Sequence, residues 1–342
     1  MSVLVTGATG FLGRRLVRLL REDGVDVCCL VRPSSDVEPL RRTVGNDLWN
    51  GVDVRAAELS NEEACREAMT GCSVVYHVAA GLGGSTSTLF LSSVVPTRTV
   101  MRAAADANLQ RFVLVSSLGV YGTSTMRAGD LLDEQSPIDP YPHLRDPYTY
   151  SKVMQERAAR EVSKETGLPL VIVRPGVIIG PGRGVLSARV GLQLGPLMVR
   201  MGGTQTLPYT YVDNCASAIR QAGLADGVEG EVFNLIDDDL PTAKGLLRMC
   251  KCAGEKVTSV WVPRQLIQPM AGTYDWYHRW SRGQLPGVLT PYRTASIWKP
   301  LRYTNQKAKD RLRWQPDVSF DEAFRRSLNG VEADHLGNRG RI

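Results

Sequence analysis

Short, nearly continuous apolar runs alternate along the first half of the chain with longer stretches whose apolar positions recur every three to four residues. The runs at 3–6, 27–31, 53–57, 73–77, 111–116 and 169–174 predict strands, and the stretches at 11–21, 61–69, 89–107 and 148–165 predict helices. In the first of these helices Phe11, Leu12, Leu16, Val17, Leu19 and Leu20 make one apolar face. Strands without polar alternation belong to a sheet covered on both sides, and their alternation with helices implies parallel strands joined by right-handed crossovers. The expected fold is therefore α/β, a Rossmann-type doubly wound parallel sheet, with its ligand crevice at the carboxyl ends of the strands. Past Arg174 the pattern becomes irregular and richer in glycine and proline, as expected of a smaller C-terminal lobe. The apolar stretch 185–201, interrupted by Arg189 and Arg200, reads as a lobe helix, and Pro96 should stiffen or kink the helix that carries it.

The first strand runs into Gly7, Thr9, Gly10, Phe11, Leu12 and Gly13, a G-x-x-G-x-x-G turn that opens a helix. Glycine permits both the tight reversal and the close approach of backbone to a pyrophosphate, and the helix directs its unpaired amides at that anion. About 20 residues further on, a dinucleotide fold reads the adenosine ribose. Here the second strand ends at Arg32-Pro33-Ser34, with Asp36 four residues past Arg32. An arginine fork pairs with a phosphate where a carboxylate would repel it, so Arg32 and Ser34, helped by Arg14, favour NADP, with NAD as the alternative.

Composition narrows the class. The chain has 342 residues, 43% of them hydrophobic, enough for a nucleotide domain with a second lobe. Its net charge of +6 comes from 41 basic and 35 acidic residues without a basic run, which favours small anionic ligands over nucleic acid. Met1 leads directly into the first strand, and no run reaches the length of a membrane span, so a cytoplasmic enzyme is expected. The seven cysteines lack paired C-x-x-C spacing and read as reduced packing residues, and no metal site is expected.

The candidate chemistry lies where the fifth strand ends at Ser116-Ser117 and where Tyr148-Thr149-Tyr150-Ser151-Lys152 opens a helix. Tyr148 and Lys152 are four apart and share a face; Tyr150 does not. A lysine ammonium beside a phenol should draw its pKa down toward the working pH and make Tyr148 a general acid and base. Ser117 could hydrogen-bond a substrate oxygen as charge develops on it.

These residues, with Glu58-Leu59, His77-Val78-Ala79-Ala80, Val120-Tyr121-Gly122, Arg174-Pro175-Gly176 and Tyr211-Val212-Asp213-Asn214, resemble the extended short-chain dehydrogenase/reductase family, also called NAD-dependent epimerase/dehydratase. The resemblance implies a Ser117-Tyr148-Lys152 triad, with Lys152 also holding the nicotinamide ribose. It places Glu58, Leu59, Ala79 and Ala80 around the adenine and phosphates, and Pro175 and Val177 beside the carboxamide. It also implies a homodimer through the helices bearing Tyr148 and preceding Arg111. On this reading residues 1–175 form the NAD(P)-binding domain with a return near 211–236, residues 176–210 and 237–328 form the substrate lobe, and 329–342 are a flexible tail.

Departures from the family pattern sort its activities. Dehydratases carry an Asp-Glu pair where this chain has Leu118-Gly119, and sugar-nucleotide enzymes usually carry an asparagine where it has Val177, followed by Ile178-Ile179. Burying sugar hydroxyls against such a surface unpaired would cost about 2–7 kcal/mol. The segments 286–291, 301–303 and 307–316 resemble the ending of 3β-hydroxysteroid dehydrogenase-like proteins. The aromatics of 274–280 could line an apolar pocket mouth or rest at a membrane surface. Ser93 and Pro96 stand where the family usually has asparagine and glycine, so Ser93 must substitute in the proton relay or the relay must differ. The expectation is an NADP-dependent oxidoreductase interconverting a secondary alcohol and ketone on a bulky, largely apolar substrate, sterol-like or a long-chain β-keto compound. The alternatives are an NAD-dependent sugar-nucleotide epimerase and a non-catalytic dinucleotide sensor.

Overall fold

A computed structural model describes residues 2–195, 197–201, 203, 205–282, 284 and 289–334. Seven parallel strands make its central sheet: Ser2–Thr6, Asp26–Val31, Val52–Ala56, Cys72–His77, Arg111–Val115, Leu170–Pro175 and Val232–Leu235. Numbered in that order they lie 3-2-1-4-5-6-7 across the sheet, so the chain reverses its winding between the first and fourth strands. That reversal opens a crevice at the carboxyl edge, where neighbouring connections depart to opposite faces.

Strand periodicity sorts the core. Val3 and Val5 face one layer together with Leu16, Val17 and Leu20 of the Gly13–Glu22 helix and Ala218 and Ile219 of the Val212–Leu224 helix. Leu4 faces the other, with Val100 and Ala104 of the Val95–Asp106 helix and Ala159 and Val162 of the Pro147–Thr166 helix. Successive residues of one strand thus enter opposite layers, which is why its run is apolar throughout.

One sequence expectation is corrected and another is refined. The 185–201 stretch is not a helix: Gly191–Leu194 and Leu197–Met201 pair antiparallel, and Thr258–Val262 adds to the second of them in parallel. Gly191 shows the reason, since a Cβ there would lie 2.2 Å from the Val199 carbonyl oxygen across the pair. The helix expected over 89–107 is present as a continuous run of Thr86–Leu89, a π-type turn at Phe90–Val94, and Val95–Asp106. Pro96 offers no N–H to the turn before it and its ring crowds the carbonyl one turn back, and the wider turn accommodates both.

Within 237–328, Ala308, Leu312, Trp314, Phe320 and Phe324 pack in the same cluster as Val3 and Val5. Asn214 anchors this return, bonding the Val318 backbone through both its amide atoms and accepting from Trp314 Nε1 at 3.0 Å through its carbonyl. The Phe320–Asp334 helix continues into the expected tail, of which 335–342 lie outside the described residues, as do 286–288 of the C-terminal motif. Among the described residues no helix is long and apolar enough to cross a membrane. In the Arg264–Trp280 helix Ile267 and Ala271 are buried, while Trp276 and Trp280 stack on each other at 6.2 Å with their surfaces exposed. Cys72 is half-buried, Cys252 exposed, and the other five cysteines are buried, all as free thiols.

Candidate active site

Because all seven strands are parallel, the segments that leave their carboxyl ends gather on one edge. Gly7 through Gly13 come after the first strand, Arg32 and Ser34 after the second, Glu58 and Leu59 after the third, Ala79 and Ala80 after the fourth, Ser116 and Ser117 after the fifth, and Val177 after the sixth, which ends at Pro175. Each glycine of the first turn has its own reason. Gly7 adopts φ +69° against the Ala79 backbone, and a Cβ on Gly13 would lie 2.1 Å from the Gly7 carbonyl oxygen. These two close the turn onto the fourth strand and the helix. At Gly10 a Cβ would meet only the Gly7 oxygen, at 3.1 Å, so the open space beside it is available to a ligand. No side chain caps the Gly13–Glu22 helix.

Arg32 is exposed just past the second strand and makes no ion pair with another described residue, whereas Asp36 accepts from the Glu38 N–H at 3.0 Å. Exposed Glu58 and half-buried Leu59 form a turn closed by Asn61 N–H to the Glu58 carbonyl, 2.9 Å. Val177 N–H donates to Pro208 O at 2.8 Å, at the start of the short strand Val177–Ile179 that pairs with Tyr209–Tyr211. Ser116 Oγ is buried and has no hydrogen-bond partner among the described residues. An open cradle at Gly10 and an unpartnered hydroxyl at the fifth strand end both fit a bound dinucleotide.

The structure brings Ser117 and Tyr148 together. Asp146 caps the Pro147–Thr166 helix by accepting from Thr149 N–H at 2.9 Å, and Pro147 takes the first helical position, where no N–H is needed. This places Tyr148 in the first turn, against the strand-end serine. The Ser117 hydroxyl lies near enough to the Tyr148 phenol to favour its charged form, and accepts from the Gly119 N–H at 3.1 Å. Burial pushes the phenol above its ordinary pKa; the nearby Ser117 hydroxyl and the Arg183 charge pull it back, and Asp146 adds to the rise. The expectation that Lys152 draws the phenol down is therefore corrected. Lys152 donates instead to the Val115 carbonyl at 2.8 Å and to Gln155 Oε1 at 2.9 Å. Burial lowers this lysine to about 8, with Glu156 opposing the drop.

Sequence reasoning missed Gln155, whose signal was its spacing: three residues past Lys152, it lies on the same helical face. Ser93 does not reach the lysine; its hydroxyl accepts from Gly81 N–H at 2.9 Å. Arg183 also went unnoticed. Its guanidinium lies 5.4 Å from the Phe11 ring centroid and its charge acts on Tyr148, so it bridges the glycine turn and the phenol. Among the described residues no cluster of His, Cys, Asp and Glu could hold a metal ion.

The NAD dependent epimerase/dehydratase family model matches residues 3–235. The chain belongs to this family. Its members are NAD(P)-dependent dehydrogenases, reductases and epimerases, and this chain is an NAD(P)-dependent enzyme of that kind. It is 35% identical to the sterol demethylase protein B of Methylococcus capsulatus, over 79% of this chain and 80% of that protein. It is 32% identical to the cinnamoyl-CoA reductase 2 of Arabidopsis thaliana, over 90% of this chain and 86% of that protein. The Bacillus cereus UDP-glucuronic acid 4-epimerase solved with NAD shares the fold, with a TM-score of 0.73, 20% identity and 99% of each chain covered.

Proposed function

We propose that this enzyme is an NADP-dependent oxidoreductase that interconverts a secondary alcohol and a ketone on a bulky, largely apolar skeleton. The observation that carries the reading is the approach of Ser117 to Tyr148 on the same sheet edge as the glycine turn. Val177 and Ile178 in place of polar groups, and relatives named for sterol and cinnamoyl substrates, support the apolar character. Exposed Arg32, without an acidic partner, supports NADP.

When bound, the nicotinamide supplies the hydride. Ser117 orients the substrate by donating to its carbonyl oxygen as negative charge grows there. Tyr148 Oη gives that oxygen its proton, a contribution of about 10²–10⁴-fold to the rate. A phenol pushed up by burial stays protonated at neutral pH, which suits it to act as the acid in reduction. Lys152, its ammonium already aligned by Val115 and Gln155, would hold the ribose. The loop at Gly81, tied to Ser93, leaves the fourth strand on the same edge.

The test is NADPH oxidation by purified protein across bulky ketones, sterol-like and long-chain β-keto compounds included. Turnover with NADPH in excess of NADH supports the reading. Protein that holds NAD through purification and inverts a UDP-sugar without net redox change is instead an epimerase.

A further inference from the structure

We propose that Gln155 is the positioning residue of this active site: its amide bridges the Lys152 ammonium to a buried chain of hydrogen bonds through Thr97 and His77 to Thr6, beside the glycine turn. The inference rests on the proposed function, in which Lys152 holds the nicotinamide ribose.

Every residue of this network is fully buried except Lys152, which is 3% exposed, so none can exchange its partner for water. The donor directions are fixed by counting protons. Thr97 Oγ1 has one, which it gives to the Ser93 carbonyl at 2.7 Å. The groups that approach that oxygen from Gln155 Nε2, at 2.8 Å, and His77 Nε2, at 2.9 Å, must therefore both donate. Burial and the nearby Lys152 charge hold His77 neutral, so a proton on Nε2 makes Nδ1 an acceptor, and the Thr6 hydroxyl donates to it at 2.9 Å. Thr6 Oγ1 in turn accepts from the Ala79 N–H at 3.3 Å.

With its nitrogen committed to Thr97, the Gln155 amide cannot flip, and its oxygen is held toward Lys152. An ammonium has three protons. Two go to the Val115 carbonyl and Gln155 Oε1, leaving one direction for the ribose. The network thereby links the ends of the first and fourth strands to the lysine on the Pro147–Thr166 helix, and couples placement of that ammonium to the backbone that receives the phosphates. The charged and titratable groups around Lys152 are Glu156 on its own helix and neutral His77 on the fourth strand. Neither hydrogen-bonds Nζ, so among the described residues Gln155 and Val115 set its direction.

The test compares wild type, Gln155→Leu and Gln155→Glu by NADPH fluorescence titration from about pH 6 to 10, together with the pH profile of kcat/KM for any ketone turned over. Gln155→Leu should weaken NADPH about ten-fold or more, the worth of a hydrogen bond to a charged group, and move the basic limb about one unit lower. Gln155→Glu, which puts a carboxylate beside the ammonium, should move it higher. A purely structural role would lower thermal stability in both variants and leave the limb in place. Folded Gln155→Leu with unchanged NADPH affinity and an unchanged limb overturns the inference; should that variant not fold, an unchanged limb in Gln155→Glu does the same. Wild type that binds neither NADPH nor NADH removes the reading of the site itself, and this inference with it.

Discussion

Glu156 accepts hydrogen bonds from two of the three guanidinium nitrogens of Arg174, Nε at 2.8 Å and Nη2 at 2.7 Å, with the two side chains 3% and 2% exposed. The pair joins the Pro147–Thr166 helix, one turn beyond Lys152, to the sixth strand of the sheet. The same guanidinium stacks 4.6 Å from the Tyr121 ring centroid, and the Tyr121 hydroxyl donates to Asn234 Oδ1 on the seventh strand at 2.7 Å. The helix that carries the tyrosine and the lysine is thereby held to the sheet by a planar, bidentate contact that a longer-range attraction would not orient.

Removing one partner of such a pair leaves the other charge buried and uncompensated. Glu156→Ala should therefore destabilise the fold by about 3–5 kcal/mol, read as a lower urea midpoint with an unchanged slope. A loss under about 1 kcal/mol would show that water or Arg160, 3.9 Å from Glu156, compensates.

Tyr148→Phe removes the proton donor and keeps the ring. Turnover should fall about 10²–10⁴-fold, while NADPH affinity by fluorescence titration stays within about two-fold. Unchanged turnover would refute the role given to the phenol.

Arg32→Ala tests the choice of coenzyme. Because the fork is exposed and can reach a phosphate, its loss should weaken NADPH about ten-fold or more and leave NADH almost unaffected. Equal losses for the two coenzymes would contradict recognition of the 2′-phosphate.

His77 predicts a response to acid. Burial, then the Lys152 charge, lowers its pKa from 6.5 to about 3. The unfolded chain takes up this proton below its ordinary value and the folded chain only near the lowered one. The fold thus loses stability as pH falls from 6.5 to about 3, at about 1.4 kcal/mol per unit at most. Asp237 works the other way: burial raises it from 3.8 to about 7, so in that window acid favours the fold. Denaturant midpoints of wild type and His77→Asn across this range should converge as pH falls, because only the wild type carries the imidazole penalty. Parallel curves would show that the histidine is charged in the fold.

Much of the sheet was legible because a strand buried on both faces has to be apolar at consecutive positions, and the glycine turn because no other residue fits beside the Gly7 oxygen or the Ala79 backbone. The 185–201 stretch was not legible: its apolar residues lie in a small sheet whose partner, Thr258–Val262, is distant in sequence. A short apolar run has no period long enough to distinguish strand from helix without that partner.

Sequence alone determined the alternation of the first six strands with helices, the glycine turn and the family, and pointed to the serine, tyrosine and lysine as the candidate triad, since each is a matter of residue type and spacing along one chain. Tertiary structure alone decided that Ser117, and not Lys152, acts on the phenol, that burial raises the phenol's pKa, and that Gln155 with Val115 directs the ammonium. Those outcomes depend on which groups lose their water and which distant partners replace it, and desolvation is a property of the packed molecule that no local pattern of residues carries.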